Sequence, residues 1–108
     1  MALFEAKTST LEGRAVVALA GECDLTARDE LTTVLLAAVE LAPVVVVDLA
    51  GLRFIDSSGL HGLITGHHAA RRQGHRLHVV NAGGTVAHVL EMTGVGDLLA
   101  PPAAGPAS

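Results

Sequence analysis

One stretch constrains the fold more than any other part of this 108-residue chain. It runs from Pro43 to Gly74, PVVVVDLAGLRFIDSSGLHGLITGHHAARRQG. Val44 to Val47 are β-branched residues in unbroken succession, followed by Asp48-Leu49. An apolar run without alternation predicts a strand covered on both faces, as in a largely parallel sheet. Ala50 to Ile55 reads as a short connection leading into Asp56-Ser57-Ser58-Gly59. From Leu60 the period becomes helical. Leu60, Leu63, Ile64 and Ala70 share one side, and His61, His67, His68, Arg71 and Arg72 lie mostly on the other. Gly74 suits the left-handed position that ends a helix. Two serines and an aspartate therefore stand where a buried strand hands over to an amphipathic helix.

That junction can do chemistry or merely hold structure. The first turn of a helix leaves backbone N–H groups without partners, and Asp56, Ser57 or Ser58 can accept from them. The same N–H groups, with the helix dipole behind them, can seat a phosphate. Gly59 removes a side chain beside the serines, which predicts room for a second molecule to approach. The plain alternative is that all these residues only cap the helix.

The rest of the chain reads as strands and helices in alternation. Leu3 to Thr8 is a weak strand, Gly13 marks a turn, and Arg14 to Ala20 is a stronger strand, so the two form a hairpin. A helix follows Asp24-Leu25-Thr26 and runs to about Leu41. Its inner face is Ala27, Leu31, Val34, Leu35 and Ala38, and Thr26 with Asp29 resembles a capping box. Arg76 to Val80 is a further parallel strand, and Thr85 to Thr93 a short helix stopped by Gly94. Val95 to Leu99 fits either one more helical turn or a short edge strand. The pattern predicts a single α/β domain over residues 1–99, with a mixed β-sheet (an N-terminal hairpin, then parallel strands) and about four helices. Residues 100–108, APPAAGPAS, read as a disordered tail.

Composition removes several classes of function. The net charge is −4 and no basic run exceeds Arg71-Arg72, which argues against nucleic acid as a direct partner. The single cysteine, Cys23, cannot form an internal disulfide, fits a reducing compartment, and is expected to be buried and inert. No apolar run reaches membrane-spanning length and none resembles a signal peptide, so a soluble cytoplasmic protein without membrane contact is expected. Around Ser57 the Gly-x-Ser-x-Gly elbow of serine hydrolases is half present, with Ile55 in place of the first glycine. Asn81 to Thr85 lacks the spacing of a phosphate loop and reads as an ordinary turn before a helix. His75 and His78 begin a strand, and His61 and His68 share an outer helix face, so neither pair predicts a metal site. No cofactor and no catalytic residue is expected.

Two motifs together carry a resemblance. Gly21-Glu22-Cys23-Asp24 lies at the end of an early strand, and Asp56-Ser57-Ser58-Gly59 opens the helix after the central strand, about 32 residues later. In this the chain resembles the STAS domain family over about Leu3 to Leu99, and within it the bacterial anti-sigma factor antagonists. The resemblance implies a phosphoacceptor at Ser57, with Ser58 as the second candidate, in an environment set by Asp24, Asp56 and Gly59. It implies a partner-binding surface of Gly21, Glu22, Asp24, Thr26, Ser58, Leu60 and His61. The implied partners are an anti-sigma factor with serine kinase activity, bound in the unphosphorylated state so that a sigma factor is released, and a serine phosphatase that reverses the mark. His61 departs from the family pattern, in which close relatives often have glycine. Other STAS domains are scaffold components of larger signalling assemblies or appendages of transporters, and the scaffold role is the alternative implied here.

Overall fold

The computed structural model describes residues 3–101. Residues 102–108 of the expected tail lie outside the described residues. In chain order the elements are β1 (Phe4–Leu11), β2 (Arg14–Cys23), a 3-10 turn (Leu25–Ala27), α1 (Arg28–Leu41), β3 (Val44–Ile55), α2 (Ser57–Arg72), β4 (Arg76–Val80), α3 (Gly84–Thr93) and α4 (Val95–Leu98). The strands form one sheet in the order β1-β2-β3-β4. β1 and β2 are antiparallel, and β2, β3 and β4 run parallel. The single mixed α/β domain read from the sequence is the one that forms. Val95–Leu98, open between two readings, is a helical turn.

The sheet is covered on one face, not two. Val17 and Leu19 of β2, Val45, Val47 and Leu49 of β3, and Leu77 and Val79 of β4 are all buried. Their neighbours Val16, Val44, Val46, Asp48, His78 and Val80 are only half-buried. The run of valines therefore does alternate, but in exposure rather than in residue type, which is why hydropathy alone pointed to a strand sandwiched between helices. Leu31, Leu35, Ala38 and Val39 of α1 join Leu63 and Ala70 of α2 in the core on the covered face.

β3 also runs further than expected. Ala50 to Ile55, read as a connection, continues the strand and stays paired with β2. Register shifts fall between Ala18 and Ala20 and between Gly21 and Glu22, and at each the β3 side carries one extra residue. Each such bulge slips the inward-facing phase by one. Leu49, Leu52 and Ile55 are consequently buried at intervals of three, a spacing that hides a strand from any period-two search. β2 likewise continues past Ala20 to Cys23, and β1 past Thr8 to Leu11.

α2 lies close against α1 because its inner face is built from small residues. A Cβ added at Gly62 would stand 3.0 Å from Leu31 Cδ2, and one at Gly66 3.1 Å from Leu35 Cβ and from Leu77 Cδ1. The helix ends as Gly74 predicts: at φ +73 its N–H donates to the Arg71 carbonyl, and the His75 N–H donates to that of Ala70. At the far edge, the Val79 N–H donates to the carbonyl of Leu99, which is fully buried. This contact lays the end of the described chain beside β4.

A branched side chain at Gly66 cannot fit without moving α1. Gly66→Val is expected to lower stability by about 2 kcal/mol in urea denaturation. A variant as stable as the parent would contradict the packing described.

Candidate functional site

The end of β2 and the start of α2 meet at one corner of the sheet. Cys23 pairs with Ile55 and Glu22 with Phe54 in the parallel ladder, and the Asp56 N–H donates to the Cys23 carbonyl at 3.2 Å. The two tetrapeptides singled out in the sequence are thus joined by a main-chain bond. Two glycines make this approach possible. Gly21 adopts φ +91, and a Cβ there would lie 1.6 Å from the carbonyl oxygen of Leu3, the residue before β1. A Cβ at Gly59 would meet Ile55 Cγ1 at 2.7 Å, the Cys23 carbonyl oxygen at 2.8 Å and Cys23 Sγ at 2.9 Å. Gly59 is buried, so its missing side chain admits the end of β2, not an outside molecule as expected.

Asp56 alone caps α2. Its Oδ1 accepts from the N–H groups of Ser58 at 2.9 Å and Gly59 at 3.1 Å. This divides the labour among three residues that could each have capped the helix. The hydroxyls of Ser57 and Ser58 form no hydrogen bond among the described residues, and Ser57 is exposed while Ser58 is half-buried.

The facing turn is organised in the same way by Asp24. Its Oδ1 accepts from the Thr26 N–H at 3.0 Å and from the Thr26 hydroxyl at 2.6 Å. The expected capping box of Thr26 and Asp29 does not form, because the Thr26 hydroxyl turns back to Asp24 and α1 starts without a side-chain cap. The Thr26 hydroxyl is also the main reason that the Asp24 carboxyl is held below the usual aspartate range; desolvation opposes it, and backbone N–H bonds add to it. Between the two acids, Cys23 is fully buried, and burial, then the charges of Asp56 and Asp24, push its thiol up to about 12. It is a packing residue, not a nucleophile.

Of the residues expected on a partner surface, Glu22, Asp24 and Ser58 are half-buried and Thr26 and His61 exposed. Leu60 is not available: only 6% exposed, it packs into the core as the first inward position of α2. The exposed apolar side chains at the corner are instead Phe54 at 39% and Leu25 at 62%. Leu25 lies within the Gly21 to Thr26 segment that the resemblance implies as surface, whereas Phe54 was not expected there because it fell in a supposed connection.

The chain thus presents a one-faced mixed sheet with an exposed Ser57 and a half-buried Ser58 at the start of the helix after its central strand. The family model described as "Mlab, STAS domain" matches residues 7–100, and the chain belongs to that family. Among solved structures, the chain is similar to an anti-sigma factor antagonist from Mycobacterium paratuberculosis, with 24% identity, TM-score 0.77, and coverage of 91% of this chain and 84% of that one. It is similar to the anti-sigma factor antagonist SpoIIAA in its unphosphorylated form, at 21% identity and TM-score 0.75, over 86% of this chain and 84% of that one. A sulfate transporter family protein from Wolinella succinogenes matches at 20% identity and TM-score 0.71, over 84% of this chain and 75% of the other. No curated protein matches the chain significantly. No helix among the described residues is long and apolar enough to cross a membrane.

Two outcomes follow from the capping geometry. Asp56→Ala removes the acceptor of two N–H groups and is expected to cost about 1 kcal/mol, whereas Ser57→Ala is expected to change stability by less than about 0.5 kcal/mol. Equal losses in thermal melts would mean that Ser57 shares the capping. Separately, Thr26→Val deletes the hydroxyl bonded to Asp24, so the Asp24 carboxyl should titrate closer to an ordinary aspartate, measured by NMR across acidic pH. Since the folded-state pKa is depressed, the stability linked to Asp24 is present above the unfolded pKa and is lost as pH falls through the folded one.

Proposed function

We propose that this protein is an anti-sigma factor antagonist switched by phosphorylation at Ser57. Unphosphorylated, it binds an anti-sigma factor that is also a serine kinase, and a sigma factor is set free. The kinase transfers the γ-phosphoryl group of ATP to Ser57 Oγ, the Pγ–O bond to the β-phosphate breaks to leave ADP, the hydroxyl proton passes to a base of the kinase, and the modified protein dissociates. A serine phosphatase restores it by hydrolysis. Ser58 is the second candidate acceptor. The protein is a substrate and a ligand in this cycle, not a catalyst.

The observation that carries this reading is the division of labour at the start of α2. Because Asp56 does the capping, Ser57 stands exposed with its hydroxyl uncommitted, at a helix end whose dipole tolerates a negative charge. The fold need not change when the phosphate arrives. The likeness to SpoIIAA in both its unphosphorylated form and the phosphorylated form of the Bacillus cell fate determinant, at TM-scores of 0.75 and 0.67, supports this. The interface is where the charge is felt. Phosphate adds about −1.5 to −2 at neutral pH, beside Asp24, Asp56 and Glu22, on a surface whose apolar contacts are Leu25 and Phe54. Desolvating that charge against a partner costs on the order of 4 kcal/mol, which weakens binding about a thousandfold. His61, one turn along α2 from Ser57 and exposed, borders the same surface and is placed to set partner choice.

A second reading, which the likeness to a sulfate transporter family protein keeps in view, is a STAS scaffold component of a larger signalling complex, with phosphorylation adjusting it. Affinity capture from host lysate with Ser57→Ala and Ser57→Asp baits separates the two. The first reading expects a kinase-fold protein with the alanine bait and at least a hundredfold less with the aspartate bait. Retention of one large assembly by both baits supports the second. If neither bait holds a specific partner, Ser57 is a surface residue of α2 and nothing more.

A further inference from the structure

The face of the sheet that carries no helix has a composition of its own. Ala15, Val17, Val45, Val47, Leu77 and Val79 point into the core. The residues between them on β2, β3 and β4 therefore point the other way, and the register arranges them in rows across the strands. Leu11, Arg14, Val44 and Arg76 form the first row, where β2, β3 and β4 begin. Ser9, Val16, Val46 and His78 form the middle row, and Lys7, Ala18, Asp48 and Val80 the third. An apolar strip thus crosses the face. Val16, Val44, Val46 and Val80 are half-buried, and Leu11 is 68% exposed.

The charges on this face are sorted along the strands. Arg14 and Arg76 flank Val44 in the first row, which holds no carboxylate. Neither arginine has an ion-pair partner among the described residues. Asp48 stands two rows further on, four residues after Val44 on the same strand. Its Oδ1 accepts from the Ala50 N–H at 3.0 Å and from Asn81 Nδ2 at 3.1 Å, which fixes the carboxylate in place.

We propose that a second copy of this chain covers the bare face, turned end for end about a twofold axis that runs across the strands. The axis passes through the middle row, so Val16 and Val46 pack on their counterparts. The first row of each copy lies over the third row of the other. Asp48 of the second copy then comes opposite Val44, between Arg14 and Arg76, and the symmetry makes this contact twice. A twofold axis along the strands would instead set the arginines against their own counterparts. His78 meets its counterpart as a neutral ring, because burial, and then Arg14 and Arg76, hold it below the usual histidine range.

The dimensions suit a reversible dimer. Sheets stacked about 10 Å apart let side chains of this size interdigitate. Four strands by seven residues make a face of roughly 19 by 24 Å, which belongs with weak interfaces. The net charge of −4 on each copy opposes association in general, so the local match of charges selects both partner and orientation.

The first test needs no substitution. In NMR spectra of the whole chain from about 20 μM to about 1 mM, the methyl signals of Val16, Val44, Val46 and Val80 should shift with concentration. Those of Val17, Val45, Val47 and Val79, on the covered face, should stay in place. Sedimentation equilibrium should report a dimer over the same range. Arg14→Asp with Arg76→Asp in one chain, and Asp48→Arg in another, should each weaken dimerisation about tenfold or more. Mixed in equal amounts, the two variants should associate with each other, because every charge again meets its opposite. That mixture distinguishes a lost contact from a misfolded variant. Met92→Ser, on α3 and 72% exposed, should alter the dimer less than about twofold. A chain that stays monomeric at about 1 mM overturns the proposal and leaves the face to a different protein. Dimers that survive in both charge variants, or folded variants that fail to associate when mixed, overturn it as well. Ser57 belongs to α2 on the covered side and takes no part, so failure here leaves its reading untouched.

Discussion

The hydrogen bond from the Asp56 N–H to the Cys23 carbonyl is the contact on which the rest depends. It forms only because β2 and β3 remain paired to their last residues and because Gly59 and Gly21 leave room for backbone where a side chain would collide. With it in place, the end of an early strand and the start of a later helix become one surface. Without it, two turns that carry aspartates would be free to separate, and the exposed serine would have no fixed surroundings. The polar chemistry of the site therefore rests on tight packing directly beneath it. Cys23, fully buried with its thiol held in the protonated form, is the centre of that packing.

Capping is assigned with similar economy. A helix start rich in Asp and Ser can satisfy its N–H groups in several ways, and here one oxygen of Asp56 serves two of them. The opposing turn repeats the arrangement with one oxygen of Asp24. Each aspartate is occupied with local order, and each remains a negative charge at the rim. The corner is thus ordered by its own hydrogen bonds and carries acidic side chains at its rim.

Much of this was legible in the residues, and the exceptions have physical causes. The helices were visible because Leu31, Leu35 and Ala38, or Leu60 and Leu63, recur at a helical period, and because Pro43, Gly74 and Gly94 mark ends that the backbone confirms. The far half of β3 was hidden because two bulges turn a period of two into a period of three. The bare face of the sheet was hidden because valine occupies both faces, and only the arrangement of the helices decides which is covered. Which residue caps α2 could not be read either, since Asp56, Ser57 and Ser58 are all capable and the choice depends on backbone angles. His67 was misplaced because a helix whose inner face includes Gly59, Gly62 and Gly66 buries a wider arc than its large apolar residues mark, whereas Leu60, set inward by its period, was put on the partner surface only by the resemblance.

That glycine-lined inner face has a consequence for how such a domain diversifies. A helix held by close backbone approach has little freedom to slide or rotate, since any shift would drive it into Leu31 or Leu35. Its two ends are thereby fixed relative to each other by geometry, yet share almost no side chains. Substitutions can accumulate at one end without disturbing the other. The buried helix works as a rigid spacer whose two ends can vary in sequence separately.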